Sequence, residues 1–184
     1  MLQRLCVLWG LLAAGGLHAE TGSGAWLRYA PLDDGAGRQY RAVVPAAVTP
    51  LSDSVLVESA RQELIRGIRG MLGRTLRAEP RVPKEGAIVL GTLTEIRKAA
   101  PRFPLAANLE ADGYWLKTVS VDGKRYTIVT AANARGVLYG AFAQLRKNGM
   151  GESIAEHDEK QAPNASVRWV NQWDNLVGSF ERGF

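Results

Sequence analysis

The stretch RWVNQWDN at 168–175, continued by NLVGSFERG at 175–183, sets Trp169 and Trp173 four residues apart and puts Asp174 and Asn175 directly after the second ring. Flat apolar faces beside an acid and an amide are the side-chain mixture of a sugar site, where rings stack on the sugar and polar tips take its hydroxyls. A packed core does not require that mixture, because every buried Trp, Asp or Asn needs a polar partner. The same residues also fit a structural role, with both tryptophans in a core or interface and a turn at Asp174 and Asn175.

Glycoside hydrolysis normally uses two carboxyl groups across the scissile bond, one protonated and one ionised. The acids near the tryptophans are Asp174 and Glu181, seven residues apart. The structural reading of the two is better supported: Asp174 orients its neighbours and Glu181 pairs with Arg182. The sequence has two histidines and one cysteine. His18 and Cys6 lie in the export signal described below, so His157 alone remains in a polar stretch, and neither a metal site nor a catalytic triad can be assembled. A thiol nucleophile is excluded likewise. No cofactor, no metal and no complete catalytic apparatus is expected in this chain.

Those residues need elements to hold them. At 184 residues the chain can form one domain plus a tail, burying roughly two-thirds of its unfolded surface. Lys and Arg number 23 against 18 Asp and Glu, a formal charge of +5. The charges are dispersed, which fits a solvated mixed surface better than a nucleic-acid binder. Arg4, the apolar run at 5–12 and the ending Leu17, His18, Ala19 predict an export signal cleaved after Ala19, which lowers the formal charge to +4. A membrane anchor needs about 20 continuous apolar residues, whereas Gly15, Gly16 and His18 interrupt this run.

After a flexible lead at 21–24, residues 26–29 form a short apolar run ended by Pro31. Residues 32–37 read as a loop and 40–44 as a strand, and Pro45 and Pro50 hold the next linker extended. Ser52 or Asp53 can cap a helix over 54–72, with Val57, Ala60, Leu64, Ile68 and Met71 on its apolar face. Its polar face carries Arg61, Arg66 and Arg69, with Arg74 and Arg77 beyond, and a solvent-facing helix accounts for these better than a nucleic-acid groove.

Residues 87–91 read as a strand buried on both faces, followed by a helix over 93–99. Without a GxGxxG or GxxxxGK pattern this turn is not a nucleotide site. Residues 114–121 and 124–130 form a hairpin around Asp122 and Gly123 in a type I′ turn. Asn133 caps the next helix, and Asn148 and Gly149 supply a left-handed stop. The polar stretch 152–160 ends near Pro163 and reads as a linker, and a new strand starts at 167–170.

The string RWVNQWDN and the NLxGSxERG pattern after it resemble the start of the catalytic barrel in alpha-glucuronidases of glycoside hydrolase family 67, and the segment before them resembles that family's N-terminal domain. Val177 stands where the family pattern leads one to expect an acid and Phe184 where it suggests a tyrosine. The resemblance implies an inverting hydrolase that removes glucuronic acid, often 4-O-methylated, from the terminal xylose of xylan fragments. Its catalytic carboxylates would lie deeper in a TIM barrel, so none is expected here and this chain alone is expected to be inactive. Trp173 looks like the tryptophan lining the family's glucuronic-acid pocket, and Asp174 and Asn175 would shape the site or bind sugar hydroxyls.

The expected fold is thus α/β, a small mixed β-sheet with helices packed on it, followed by the first strand of an incomplete TIM barrel. The expected organisation is a signal peptide at 1–19, an N-terminal α/β domain at 20–150, a linker at 151–166 and a barrel start at 167–184. Expected partners are glucuronic-acid-decorated xylo-oligosaccharides and, for the intact enzyme, a second copy of itself; no nucleic acid and no membrane span are expected in the mature chain, which would be periplasmic or extracellular. The rival reading is a stand-alone carbohydrate-binding module stacking sugars on Trp115, Trp169 and Trp173.

Overall fold

The computed structural model describes residues 29–165 and 167–169. The chain divides into two compact units, Met1–Ala30 and Pro31–Phe184, and of the first only Tyr29 and Ala30 are described. In the second unit the elements run α1 (Asp34–Val43), β1 (Ala47–Pro50), α2 (Val55–Leu72), β2 (Arg77–Ala78), β3 (Ile88–Thr92), α3 (Leu93–Ala99), β4 (Tyr114–Val121), β5 (Lys124–Ala131), α4 (Ala134–Gly149) and β6 (Asp158–Gln161). The strands form one six-stranded sheet in the order β2-β1-β3-β5-β4-β6. Neighbours from β2 to β5 pair in parallel, while β4 is antiparallel to both β5 and β6. A mixed sheet with helices is therefore the fold of this unit.

Side-chain alternation on the strands gives the sheet two dry faces. One carries Ala47, Val89, Trp115, Val119, Tyr126 and Ile128, packed with Leu93 and Ile96 of α3 and with Phe103 and Leu105 of the following loop. The opposite face receives α4 at very close range: a Cβ on Gly140 would stand 2.8 Å from Val129 Cγ1, and one on Gly136 would stand 2.3 Å from the Gly113 carbonyl oxygen. Helix α2 packs beside α4 and buries Val57, Ala60, Leu64, Ile68 and Met71.

Helix α2 begins where its pattern predicts, with Ser54 rather than Ser52 or Asp53 as the cap: the Ser54 hydroxyl accepts from Leu56 N. At its far end Gly73 takes a left-handed conformation at φ 66°, as a side-chain-free stop can. Two arginines of its outer face are held by acids one turn away, Arg61 by Glu58 and Arg66 by Glu63. The 114–131 hairpin also forms as its pattern predicts, with Asp122 at φ 51° and Gly123 at φ 72°, the pair of positive values that a type I′ turn requires.

Four local expectations are corrected. Residues 34–43, predicted as loop and strand, form α1: the Asp33 carboxylate accepts from Ala36 N at 2.9 Å, and Gly37 and Tyr40 are buried at helical spacing. The strand instead occupies Ala47–Pro50 inside the proline-bounded segment read as a linker, with Pro50 at its end, where a missing N–H costs little. Helix α4 continues through Gly149, and the left-handed residue after it is Gly151 at φ 74°. Asn148 is buried, taking a hydrogen bond from Gln144 Nε2 at 3.0 Å. The polar stretch read as a linker contains β6, which lengthens the sheet at the β4 edge.

Candidate functional site

Trp173, Asp174 and Asn175 lie outside the described residues, as do Glu181 and Val170, so the predicted sugar-binding cluster is not brought together here. Val167, Arg168 and Trp169 are described and adopt no regular structure, so the strand expected from 167 does not begin within them. Trp169 is 73% exposed and Trp115 only 3%. The Trp115 indole donates to Asp158 Oδ1 at 2.7 Å, and the Lys117 and Lys160 ammonium groups stand 5.0 and 4.6 Å from its ring centroid. Trp115 is thus a core residue locking β6 to β4, which removes it from the stacking surfaces of the binding-module reading.

The site that the structure does assemble lies where the chain leaves the sheet. Asp112 sits in the turn before β4 with φ 61°, a left-handed conformation that aspartate tolerates better than most residues. Its carboxylate is a hub. Oδ1 accepts from Asn133 Nδ2 at 3.0 Å, and Oδ2 accepts from Arg135 at 3.0 Å and from Arg168 at 2.8 Å. Asn133 at the same time caps α4, its Oδ1 accepting from Gly136 N at 2.9 Å. The Asn133 hydrogen bond, ahead of the Arg168 bond and the two guanidinium charges, outweighs desolvation and holds the Asp112 carboxyl below the usual carboxylate range.

The Arg168 guanidinium also lies 5.8 Å from the centroid of the Tyr139 ring, within cation–π range, and donates to the Ala165 carbonyl. Asp112, Tyr139 and Arg168, together with Tyr114, Gln161, Ala162 and Pro163, line a cavity of about 290 Å³. In the sequence Arg168 stands out only as part of the tryptophan-rich string and Asn133 only as a helix cap, and no local pattern marks Asp112, Arg135 or Tyr139, because a single acid before a strand has no distinguishing spacing. The positive φ at a non-glycine position is the structural signal that marks Asp112.

A second polar group lies behind β6. Lys147 Nζ contacts Glu152 and Glu159, each at 2.7 Å, and Tyr114 donates to Glu159 Oε1 at 3.1 Å. Tyr40 donates to the Glu152 carbonyl at 2.6 Å. Burial raises the Glu159 pKa, but the hydrogen bond and charge of Lys147 and the Tyr114 hydroxyl outweigh it and leave the group lowered. Burial, then the Glu159 charge, pushes the Tyr114 phenol up to about 12. Both carboxylates are held by one ammonium at 2.7 Å rather than set apart across an open space for a substrate, as the carboxyl pair of glycoside hydrolysis must be. The role of this cluster is to tie α1, α4 and β6 together.

A cavity of about 680 Å³ opens between the α3 exit and the hairpin and is rimmed by Lys84, Arg102, Asp122 and Lys124. Arg102 is already paired with Asp122 at 2.7 Å, and the Phe103 and Tyr126 rings beneath pack on each other at 4.9 Å, so the cavity has no open aromatic platform. Among the described residues no group of His, Cys, Asp or Glu could hold a metal ion, and no helix is long and apolar enough to cross a membrane.

Residues 25–144 match the family model described as "Glycosyl hydrolase family 67 N-terminus", and residues 147–184 match "Glycosyl hydrolase family 67 middle domain". A protein named "Probable alpha-glucuronidase A" from Aspergillus terreus is 36% identical over 184 residues, covering 98% of this chain and 21% of the relative. An "Alpha-glucuronidase" from Hypocrea jecorina is 38% identical over 196 residues, covering 100% of this chain and 23% of the relative. The chain therefore spans about a fifth of the length of these curated relatives. Among solved structures, a family GH115 4-O-methyl-alpha-glucuronidase matches 64% of this chain and 17% of its own at 21% identity and a TM-score of 0.49.

Proposed function

Since the chain belongs to glycosyl hydrolase family 67, we propose that it is the N-terminal part of an exported alpha-glucuronidase hydrolysing the bond between (4-O-methyl)glucuronic acid and xylose in xylan fragments. The observation that carries this reading is the succession of two neighbouring family-67 regions along one chain, at 25–144 and 147–184, in the order of an N-terminal and a middle domain. The names of relatives at 36% and 38% identity support the activity.

In this reading the α/β domain begins at 20 and runs through β6 at Gln161, 167–184 begin a catalytic TIM barrel, and 162–166 connect them. Its catalytic carboxylates come from chain beyond Phe184, since the relatives are about five times as long as this chain and the two carboxylates that the sheet unit brings together, Glu152 and Glu159, are both held by Lys147. Trp173 lines the glucuronic-acid pocket at the end of the first barrel strand, where barrel sites gather, and Asp174 and Asn175 take sugar hydroxyls beside it. The export signal at 1–19 places the enzyme in the periplasm or outside the cell, and the intact enzyme pairs as a homodimer, which light scattering reads directly.

The deciding experiment is to express the full open reading frame containing this sequence and assay it on aldouronic acids. Release of glucuronic acid from a terminal xylose supports the reading. A frame that stops at Phe184, giving a soluble product that binds xylan fragments without cleaving them, favours the binding-module reading instead, although the burial of Trp115 leaves that reading without one of its three stacking rings.

A further inference from the structure

We propose that the Asp112 corner is the seat of the polypeptide that follows Trp169, and that Asp112 is a positioning residue which fixes where that polypeptide, and with it Trp173, departs from the sheet domain. The proposal rests on the family-67 reading above.

Three observations converge on this corner. First, Asp112 gathers donors from two separate origins: Asn133 and Arg135 come from the start of α4, and Arg168 from the segment beyond β6, 56 residues later in the chain. The α4 donors anchor the carboxylate to the sheet domain, and the third donor belongs to the departing segment. Its side chain is 13% exposed and Arg168's is 33% exposed, so the pair is shielded more than an ordinary surface ion pair.

Second, the backbone of Asp112 is held at φ 61° by surroundings that leave no slack: its neighbour Gly113 is so close to β6 that a Cβ there would lie 2.9 Å from the Gln161 carbonyl oxygen. A carboxylate on such a support holds a fixed direction. Third, Tyr139, which lies against the Arg168 guanidinium, is 37% exposed and lines with Asp112 and Arg168 a cavity of about 290 Å³, while Val167 and Trp169, the chain neighbours of Arg168, are 72% and 73% exposed. Exposed apolar groups flanking a polar anchor mark a docking surface. The occupant is the next region of the same chain, since a middle-domain match runs from 147 to 184 and the relatives are about five times as long as this chain.

Arg168 stands five positions before Trp173. Displacing a binding group by even about 1 Å can cost up to about a hundredfold in rate, so a clamp this close is placed to affect substrate binding. The test uses the full-length protein and four variants: Arg168→Ala, Asp112→Ala, the two combined, and Arg168→Lys. The first readout needs no activity: chymotrypsin cleavage after Trp169 under native conditions. It should quicken about tenfold in each alanine variant and no further in the double, because each alone breaks the same contact. Arg168→Ala leaves Asp112 with Asn133 and Arg135, so it keeps the fold even where Asp112→Ala does not.

The second readout is steady-state hydrolysis of an aldouronic acid, where KM should rise about tenfold with a smaller change in kcat, and Arg168→Lys should fall between wild type and Arg168→Ala because it keeps the charge without the fork. Wild-type cleavage rates in Arg168→Ala, or losses that add in the double variant, overturn the clamp. A wild-type protein that hydrolyses no aldouronic acid sinks the proposed function, while the proteolysis readout still decides the clamp.

Discussion

The His157 imidazole is 6% exposed, and its Nε2 makes no hydrogen bond within the protein. Burial, reinforced by the Lys147 charge and opposed by Glu159 and Glu152, holds its pKa below the ordinary 6.5. The folded state therefore prefers the neutral ring, while the unfolded chain takes up a proton more readily. The stability this supplies is present above the unfolded pKa and is lost as pH falls through the folded one. Melting temperatures across pH 7 to pH 5 should fall for the wild type and fall less for His157→Gln; parallel curves would remove His157 as the cause. Carboxylates with lowered pKa, such as Glu159, act in a more acidic window and leave this comparison intact. At the same scale, Trp173→Ala in the intact enzyme is expected to lower kcat/KM on aldouronic acids by about tenfold with folding largely unchanged; unaltered kinetics would take Trp173 out of the site.

Helix α3 shows how a short element is held. Its seven residues are too few for a stable isolated helix, and two devices compensate. Thr92 and Glu95 form a reciprocal capping box, with Glu95 Oε2 accepting from Thr92 N at 2.7 Å and from the Thr92 hydroxyl at 2.8 Å, while Leu93 and Ile96 enter the core. Thr92→Ala should cost about 1 kcal/mol in urea unfolding, and no measurable loss would mean that packing alone holds α3. Element type was readable where one local signal dominated, as with the period of α2, the Asp122-Gly123 turn and the apolar run of β3. It misled at α1, where Gly35 and Gly37 suggested a loop although Gly37 is buried in the helix beside Tyr40. It misled again at β6, whose polar residues are recruited by long-range partners: Asp158 by the Trp115 indole and Lys117, and Glu159 by Lys147 and Tyr114.

Across the whole sheet unit, burial is graded from centre to edge. Strands β1, β3 and β5 are almost wholly buried, whereas β2 has two exposed residues and β6 is largely exposed. Amide exchange should therefore be slowest in β3 and β5 and fastest in β2 and β6, and early exchange of β3 would contradict this core. The departing chain follows β6, an edge strand that is largely exposed, which is why a separate anchor such as Asp112 matters there. The amino-acid sequence by itself determined the α/β class, the central helix and hairpin, and, through the tryptophan-rich string at 168–175, the family resemblance, because these depend on short-range periodicity, turn stereochemistry and residue identity. Only the tertiary structure decided that Trp115 is core, that the polar stretch after α4 contributes a strand, and that Asp112 meets Arg168 across 56 positions. Such contacts depend on which side chains the fold brings within hydrogen-bonding distance, and no local pattern encodes that.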